Sequence, residues 1–173
     1  MEQNLRQVNN DPINFGQNSL YISPILINDS ISLNSLFILL SRGTGSKTVS
    51  ISIGLYSLTG STFSLANSGS RSLTFSGGQL GYQSITNFSA TQNISAGNWY
   101  FGIIKSTHTG GVNDDFSFYG ASIPVNINNA FPGKIIGGIL TVTTGALPVS
   151  VATSGFDITG TDEHFVPYIL INA

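Results

Sequence analysis

The chain holds two histidines, eight carboxylates and no cysteine, a thin stock for acid–base or metal chemistry. A serine nucleophile needs a histidine to take its proton. His108 sits in a Gly/Thr loop, His164 stands at the entrance to the last apolar run, and no serine lies in a G-x-S-x-G elbow. The lack of cysteine removes disulfides, thiol catalysis and Cys-ligated metals together. The carboxylates gather in two places: Asp114–Asp115 after a Gly/Thr loop, and Asp157, Asp162 and Glu163, which with His164 fall within eight residues. Carboxylate oxygens suit Ca²⁺, so Asp157, Asp162 and Glu163 are the candidate metal ligands, although their spacing matches no D-x-[DN]-x-[DN]-G loop. A glycosidase needs two carboxylates flanking a cleft, and the spacing selects no pair. No catalytic residue, cofactor or metal is assigned, and the chain reads as a non-enzyme.

Binding without catalysis needs less. Tyr82 beside Gly81, and His108, Asp114 and Asp115 around Gly110–Gly111, offer an aromatic face and polar groups on Gly-rich loops. These four are the candidate ligand-binding residues, and a glycan is the ligand they would suit. Trp99 lies in the apolar run Asn98 to Ile104, where it reads as a core residue. The segment Gly43-Thr44-Gly45-Ser46-Lys47-Thr48 imitates a phosphate-binding loop. It fails because Ser46 replaces the glycine before the lysine and a strand pattern, not a helix, follows. The Asn-x-Ser/Thr sequons at Asn28, Asn87 and Asn93 occur no more often than chance allows in so Asn- and Ser-rich a chain.

The elements that must position these groups follow from period and composition. Charged residues are 8% of the 173, with Lys plus Arg 6 against Asp plus Glu 8, for a net charge of −2. Ser, Thr, Asn and Gly together number 75, so the surface is polar yet nearly uncharged. Nucleic-acid binding requires clustered Lys and Arg, and six scattered basic residues make no such patch. The hydrophobic fraction of 40% argues for a folded chain of one domain. The opening MEQNLRQVNN is polar, so no secretory signal is expected. The longest apolar run, Leu36 to Leu40, is far shorter than the ~20 residues of a membrane span.

Residues 1–18, rich in Asn and Gln, read as a polar N-terminal arm, and 19–173 as a single β-sandwich domain. In Lys47 to Tyr56, Val49, Ile51, Ile53 and Leu55 alternate with Ser50, Ser52, Gly54 and Tyr56, the period of a half-buried antiparallel strand. Further strands are expected at 20–28, 31–40, 62–66, 71–76, 82–89, 98–106, 116–121, 134–143 and 165–172. Asn67 to Ser70 reads as a hairpin turn between two of them. No stretch carries a capped helical face. About ten short strands with Gly-rich turns predict an all-β fold, an antiparallel sandwich or jelly roll of about 8–10 strands. Small polar residues at outward strand positions leave the sheet edges with little of the charge that normally blocks pairing. Those surfaces are therefore expected to meet other subunits.

Three segments resemble structural proteins of tailed phages. They are Ile51 to Ser70, the aromatic strand after Ala-Gly in Ser95 to Ile103, and the ending Val166-Pro167-Tyr168-Ile169-Leu170-Ile171. The likeness runs over about residues 50–173. It implies an external virion protein made in the host cytoplasm: a capsid decoration or minor capsid protein, or a fibre head. It implies homo-oligomers, trimers being favoured, contacts with other virion proteins through the arm, and attachment to a host-surface glycan in the fibre case. It carries no catalytic residues. A carbohydrate-binding module or adhesin, and a jelly-roll major capsid protein, are the alternatives. No nucleic acid or membrane partner is expected.

Overall fold

The computed structural model describes residues 13–14, 18–33, 35–42, 47–75, 81–85, 92–109, 116–118, 120–122, 138–156, 165–167 and 169–172. The chain is all-β, and every described strand pair is antiparallel, consistent with the expected sandwich or jelly-roll arrangement. The strands are β1 (Ile13–Asn14), β2 (Ser19–Ile27), β3 (Ile31–Leu33), β4 (Ser35–Arg42), β5 (Lys47–Thr59) and β6 (Thr62–Phe75). They continue with β7 (Gly81–Ile85), β8 (Gln92–Ile94), β9 (Gly97–Thr109), β10 (Phe116–Phe118) and β11 (Gly120–Ser122). The last are β12 (Gly138–Thr141), β13 (Ser150–Ala152), β14 (Phe165–Pro167) and β15 (Ile169–Asn172). A single 3-10 turn, Thr153–Gly155, is the one helical piece among the described residues.

The main sheet has six strands in the order β12-β2-β9-β5-β6-β13. A second sheet runs β1-β10-β4-β15, with β7 also on β4, and β11–β14 and β3–β8 form two-stranded ribbons. The alternation read in β5 sets the main sheet's packing. Val49, Ile51, Ile53 and Leu55 are all buried, in one cluster with Tyr21, Phe101 and Ile103 from the adjoining strands. Ile27, Leu33 and Ile94 close over this face. The opposite face buries Leu20, Ile22, Tyr56, Phe63, Tyr100, Val151 and Phe156. Phe63 stands edge-on to both Tyr100, at 4.7 Å, and Phe156, at 5.5 Å, a favoured aromatic arrangement. Strand β9, apolar on both faces, lies between β2 and β5 as a central strand must.

A corner turns part of the chain over the first face. Ile27 faces Gly97 in the β2–β9 pair, while Ile31 faces Ile94 in the β3–β8 pair. Asn28, Asp29 and Ser30 on one side therefore oppose only Ser95 and Ala96 on the other. The extra residue bends the ribbon, as a bulge does. The Ala96 N–H donates to Ser30 Oγ across the corner at 3.3 Å. Gly97, at φ +147°, supplies a backbone angle that a side chain would resist.

Several expected boundaries differ. Asn67 to Ser70 is no hairpin: β6 runs unbroken through it, pairing Asn67 with Leu55 and Ser70 with Ser52. The turn lies earlier, at Gly60–Ser61, where Gly60 has φ +60°, and the irregularity in β6 is a bulge opposite Leu55/Tyr56. The run 31–40 divides into β3 and β4, which belong to different sheets. The runs 116–121 and 165–172 divide likewise, since β10 and β15 pair with β4 while β11 pairs with β14. Ser50 and Ser52 are half-buried and Gly54 is buried, so these small residues make room for packing instead of facing open solvent. Of the polar arm, Ile13–Asn14 pairs with β10, and residues 1–12 lie outside the described residues.

Candidate functional site

Of the candidate residues, Tyr82 and His108 fall among the described ones. His108 is not in a loop: it is a strand position of β9 opposite Val49, because β9 continues to Thr109 instead of ending near Ser106. Tyr82 is a strand position of β7 opposite Leu39. His108 belongs to the main sheet and Tyr82 to the second, so the pattern that grouped them by glycine-rich context does not place them on one element. Asp114, Asp115, Asp157, Asp162, Glu163 and His164 lie outside the described residues. Among the described residues there is no group of three His, Cys, Asp or Glu side chains placed to hold a metal. Among them, too, no helix is long and apolar enough to cross a membrane.

The polar groups that the fold does bury serve architecture. Gly102 faces Gly54 on one side and Ile22 on the other. The Tyr56 ring lies over this glycine, so close that a Cβ there would stand 2.6 Å from Tyr56 Cε2. The Tyr56 hydroxyl donates to the Pro148 carbonyl at 3.0 Å, tying the irregular stretch before β13 across the second face. Burial pushes the Tyr56 phenol well above the ordinary tyrosine range and raises that of Tyr100. On the first face, Lys105 is fully buried and engaged, whereas the Ser23 hydroxyl is buried without a hydrogen-bond partner. Trp99 packs against the first core cluster and its indole N–H donates to the Ser95 carbonyl at 3.0 Å. Its polar handle is thus used within the chain. Sequence reading missed Tyr56, Gly102, Lys105 and Ser23 as special positions, since each lies in an ordinary alternating pattern.

The more open features are the two edges of the main sheet. Strand β12 covers β2 only from Ser19 to Ile22. Strand β13 covers β6 only from Thr62 to Ser64, and the Leu65 N–H is taken by the Val149 carbonyl at 2.9 Å. Beyond those points, among the described residues, β2 from Ser23 to Ile27 and β6 from Ala66 to Phe75 have no strand hydrogen-bonded on their outer sides, although β14 approaches β2 and β7 approaches β6. The exposed large hydrophobic residues of the described chain, Leu26 at 66% and Val149 at 76% exposure, mark these edges, one at each.

Comparison with known proteins finds no match to this chain among family models, curated proteins or solved structures.

Proposed function

We propose that the chain is an external structural protein of a tailed-phage virion, a capsid decoration or minor capsid protein or a fibre head. It works by subunit–subunit assembly and is not an enzyme. The observation that carries this reading is the pair of main-sheet edges that the described strands pair with only in part, each marked by an exposed aliphatic residue, in a chain with only 8% charge. Solvent-facing edges ordinarily carry charges, prolines or covers that stop them pairing with other chains. Low net charge also weakens repulsion among many packed copies. The resemblance of residues 50–173 to phage structural proteins supplies the setting. A homotrimer is the expected oligomer, with the polar arm reaching other virion proteins. A host-surface glycan is the ligand a fibre head would take, and Tyr82, His108, Asp114 and Asp115 are the residues to test for it.

Immunogold labelling of intact phage particles from lysates that make this chain tests the reading. Surface label on heads or tail tips is the expected result. Particles that carry no label, with the protein left wholly in the soluble fraction, would overturn it.

A further inference from the structure

The stretch that joins β12 to β13 is held differently at its ends and in its middle. From Val142 to Val149 it forms no strand and bends without a hydrogen-bonded turn. Both ends are fastened. Upstream, β12 pairs with β2, and the Val142 N–H donates to the Asn18 carbonyl at 2.8 Å. Downstream, β13 pairs with β6, and the Thr153 N–H donates to the Ser61 carbonyl at 2.9 Å. Between these fastenings the chain crosses the second face, where Val142 and Leu147, each partly buried, pack against the cluster of Tyr56, Phe63, Tyr100 and Phe156.

Little holds the middle. Thr143, Thr144, Ala146 and Val149 are exposed. Among the described residues two hydrogen bonds tie it down: the Tyr56 hydroxyl to the Pro148 carbonyl at 3.0 Å, and the Leu65 N–H to the Val149 carbonyl at 2.9 Å. Pro148 has no N–H to add a third. A segment with few buried apolar contacts and an exposed backbone opens at a lower free energy than the strands beneath it. Opening also strands no polar group. The two carbonyls, the Leu65 N–H and the Tyr56 hydroxyl all reach water once the segment lifts, so none bears the cost of a buried group left unbonded. The floor is of the opposite kind. Tyr56 is fully buried, lies against Gly102, and belongs to β5, which is paired on both sides. Its hydroxyl is therefore a fixed point to which a loosely held segment is fastened.

We propose that Thr143–Val149 is a strap that opens and closes over an intact main sheet, with the Tyr56 hydroxyl as its latch. Closed, the strap hides the aromatic floor. Open, it presents that floor in a minor state of the folded chain. The device stands on these contacts and is independent of the assembly reading.

Native-state hydrogen exchange, read by NMR at each amide in low concentrations of urea, tests it on the full chain. The reporter is the Leu65 N–H, and the amides of β9 are the reference for global unfolding. The Leu65 N–H is expected to exchange faster than those of β9 and with little dependence on urea, because lifting the strap exposes little surface. Tyr56→Phe removes the latch and speeds Leu65 exchange roughly three- to tenfold, the worth of one hydrogen bond. Leu147→Ala, which removes the strap's apolar anchor, speeds it as well. Ile53→Val, on the first face, speeds exchange in β9 and leaves Leu65 unchanged. Leu65 exchanging only together with β9, or unmoved by both Tyr56→Phe and Leu147→Ala, or accelerated by Ile53→Val as much as β9 is, would overturn the strap. Acceleration by Leu147→Ala without Tyr56→Phe would overturn the latch.

Discussion

Replacing Gly102 by alanine tests the packing of the second face at its tightest point. The added Cβ would stand 2.6 Å from Tyr56 Cε2, 3.1 Å from Tyr56 Cδ2 and 3.3 Å from Leu20 Cδ1. Carbon atoms pack best at about 3.5–4.0 Å, so the ring must retreat by about 1 Å. It has little room to do so. Tyr56 is fully buried, and its hydroxyl is held by the Pro148 carbonyl at 3.0 Å. Overpacking of this kind costs about 1–3 kcal/mol. The smaller conformational freedom of alanine in the unfolded chain returns about 0.4–1 kcal/mol. The net expectation is a loss of about 1–2 kcal/mol, or a fall of roughly 2–8 °C in melting temperature at this chain length. Urea unfolding of Gly102→Ala, alone and combined with Tyr56→Leu, measures both the cost and its origin. With the ring removed, the alanine should cost less than about 0.5 kcal/mol, the usual limit for uncoupled changes. A neutral Gly102→Ala, or an equal cost in both backgrounds, would refute the ring-over-glycine account.

Three further outcomes follow from the same structure. Ser23→Ala removes a buried hydroxyl that has no partner, so stability should hold or rise by up to about 1 kcal/mol. A loss above that in urea unfolding would mean the hydroxyl is bonded. Gly97→Ala puts a side chain at φ +147° and should cost about 1–3 kcal/mol of local strain by the same assay, whereas Ser95→Ala in the same corner should cost far less. Burial raises the Tyr56 and Tyr100 phenols above the ordinary value of 10.0, so in the folded chain they stay protonated where the unfolded chain ionises. Stability is therefore full below about pH 10 and falls as pH rises beyond it. Tyrosinate absorbance followed through an alkaline titration should show Tyr56 ionising only with unfolding and Tyr100 above the ordinary value, and ionisation of both near pH 10 in the folded protein would contradict their burial.

The sequence was most legible where one period ran long enough to specify a face. Val49 to Leu55 predicted its own burial, and the apolar run Asn98 to Ile104 marked a strand whose residues the structure buries on both faces. It was least legible where the backbone alone decides. Asn67 to Ser70 has turn-forming residues, yet a ladder needs only peptide groups, and the partners from Ser52 to Leu55 supply them. The split at 31–40 is set by the corner at Asn28–Ser30, whose one-residue excess over Ser95–Ala96 becomes visible only when the strands are paired. The Tyr56–Gly102 contact joins residues far apart in the chain, and no spacing rule foretells it. The thin charge of the sheet edges named no particular stretch, and which stretches lack a paired strand among the described residues depends on how far β12 and β13 reach. His108 looked like a loop residue from its Gly/Thr neighbours, but pairing with Val49 extends β9 past it.

The assembly account stands or falls most directly on copy number. Quantitative mass spectrometry of purified particles, with mild protease treatment of intact virions, counts the chain and reports which side of the shell it faces. The account predicts a fixed number of copies per particle, a multiple of the oligomer size found in solution, accessible from outside. A chain absent from particles, or present only in variable traces, would contradict it.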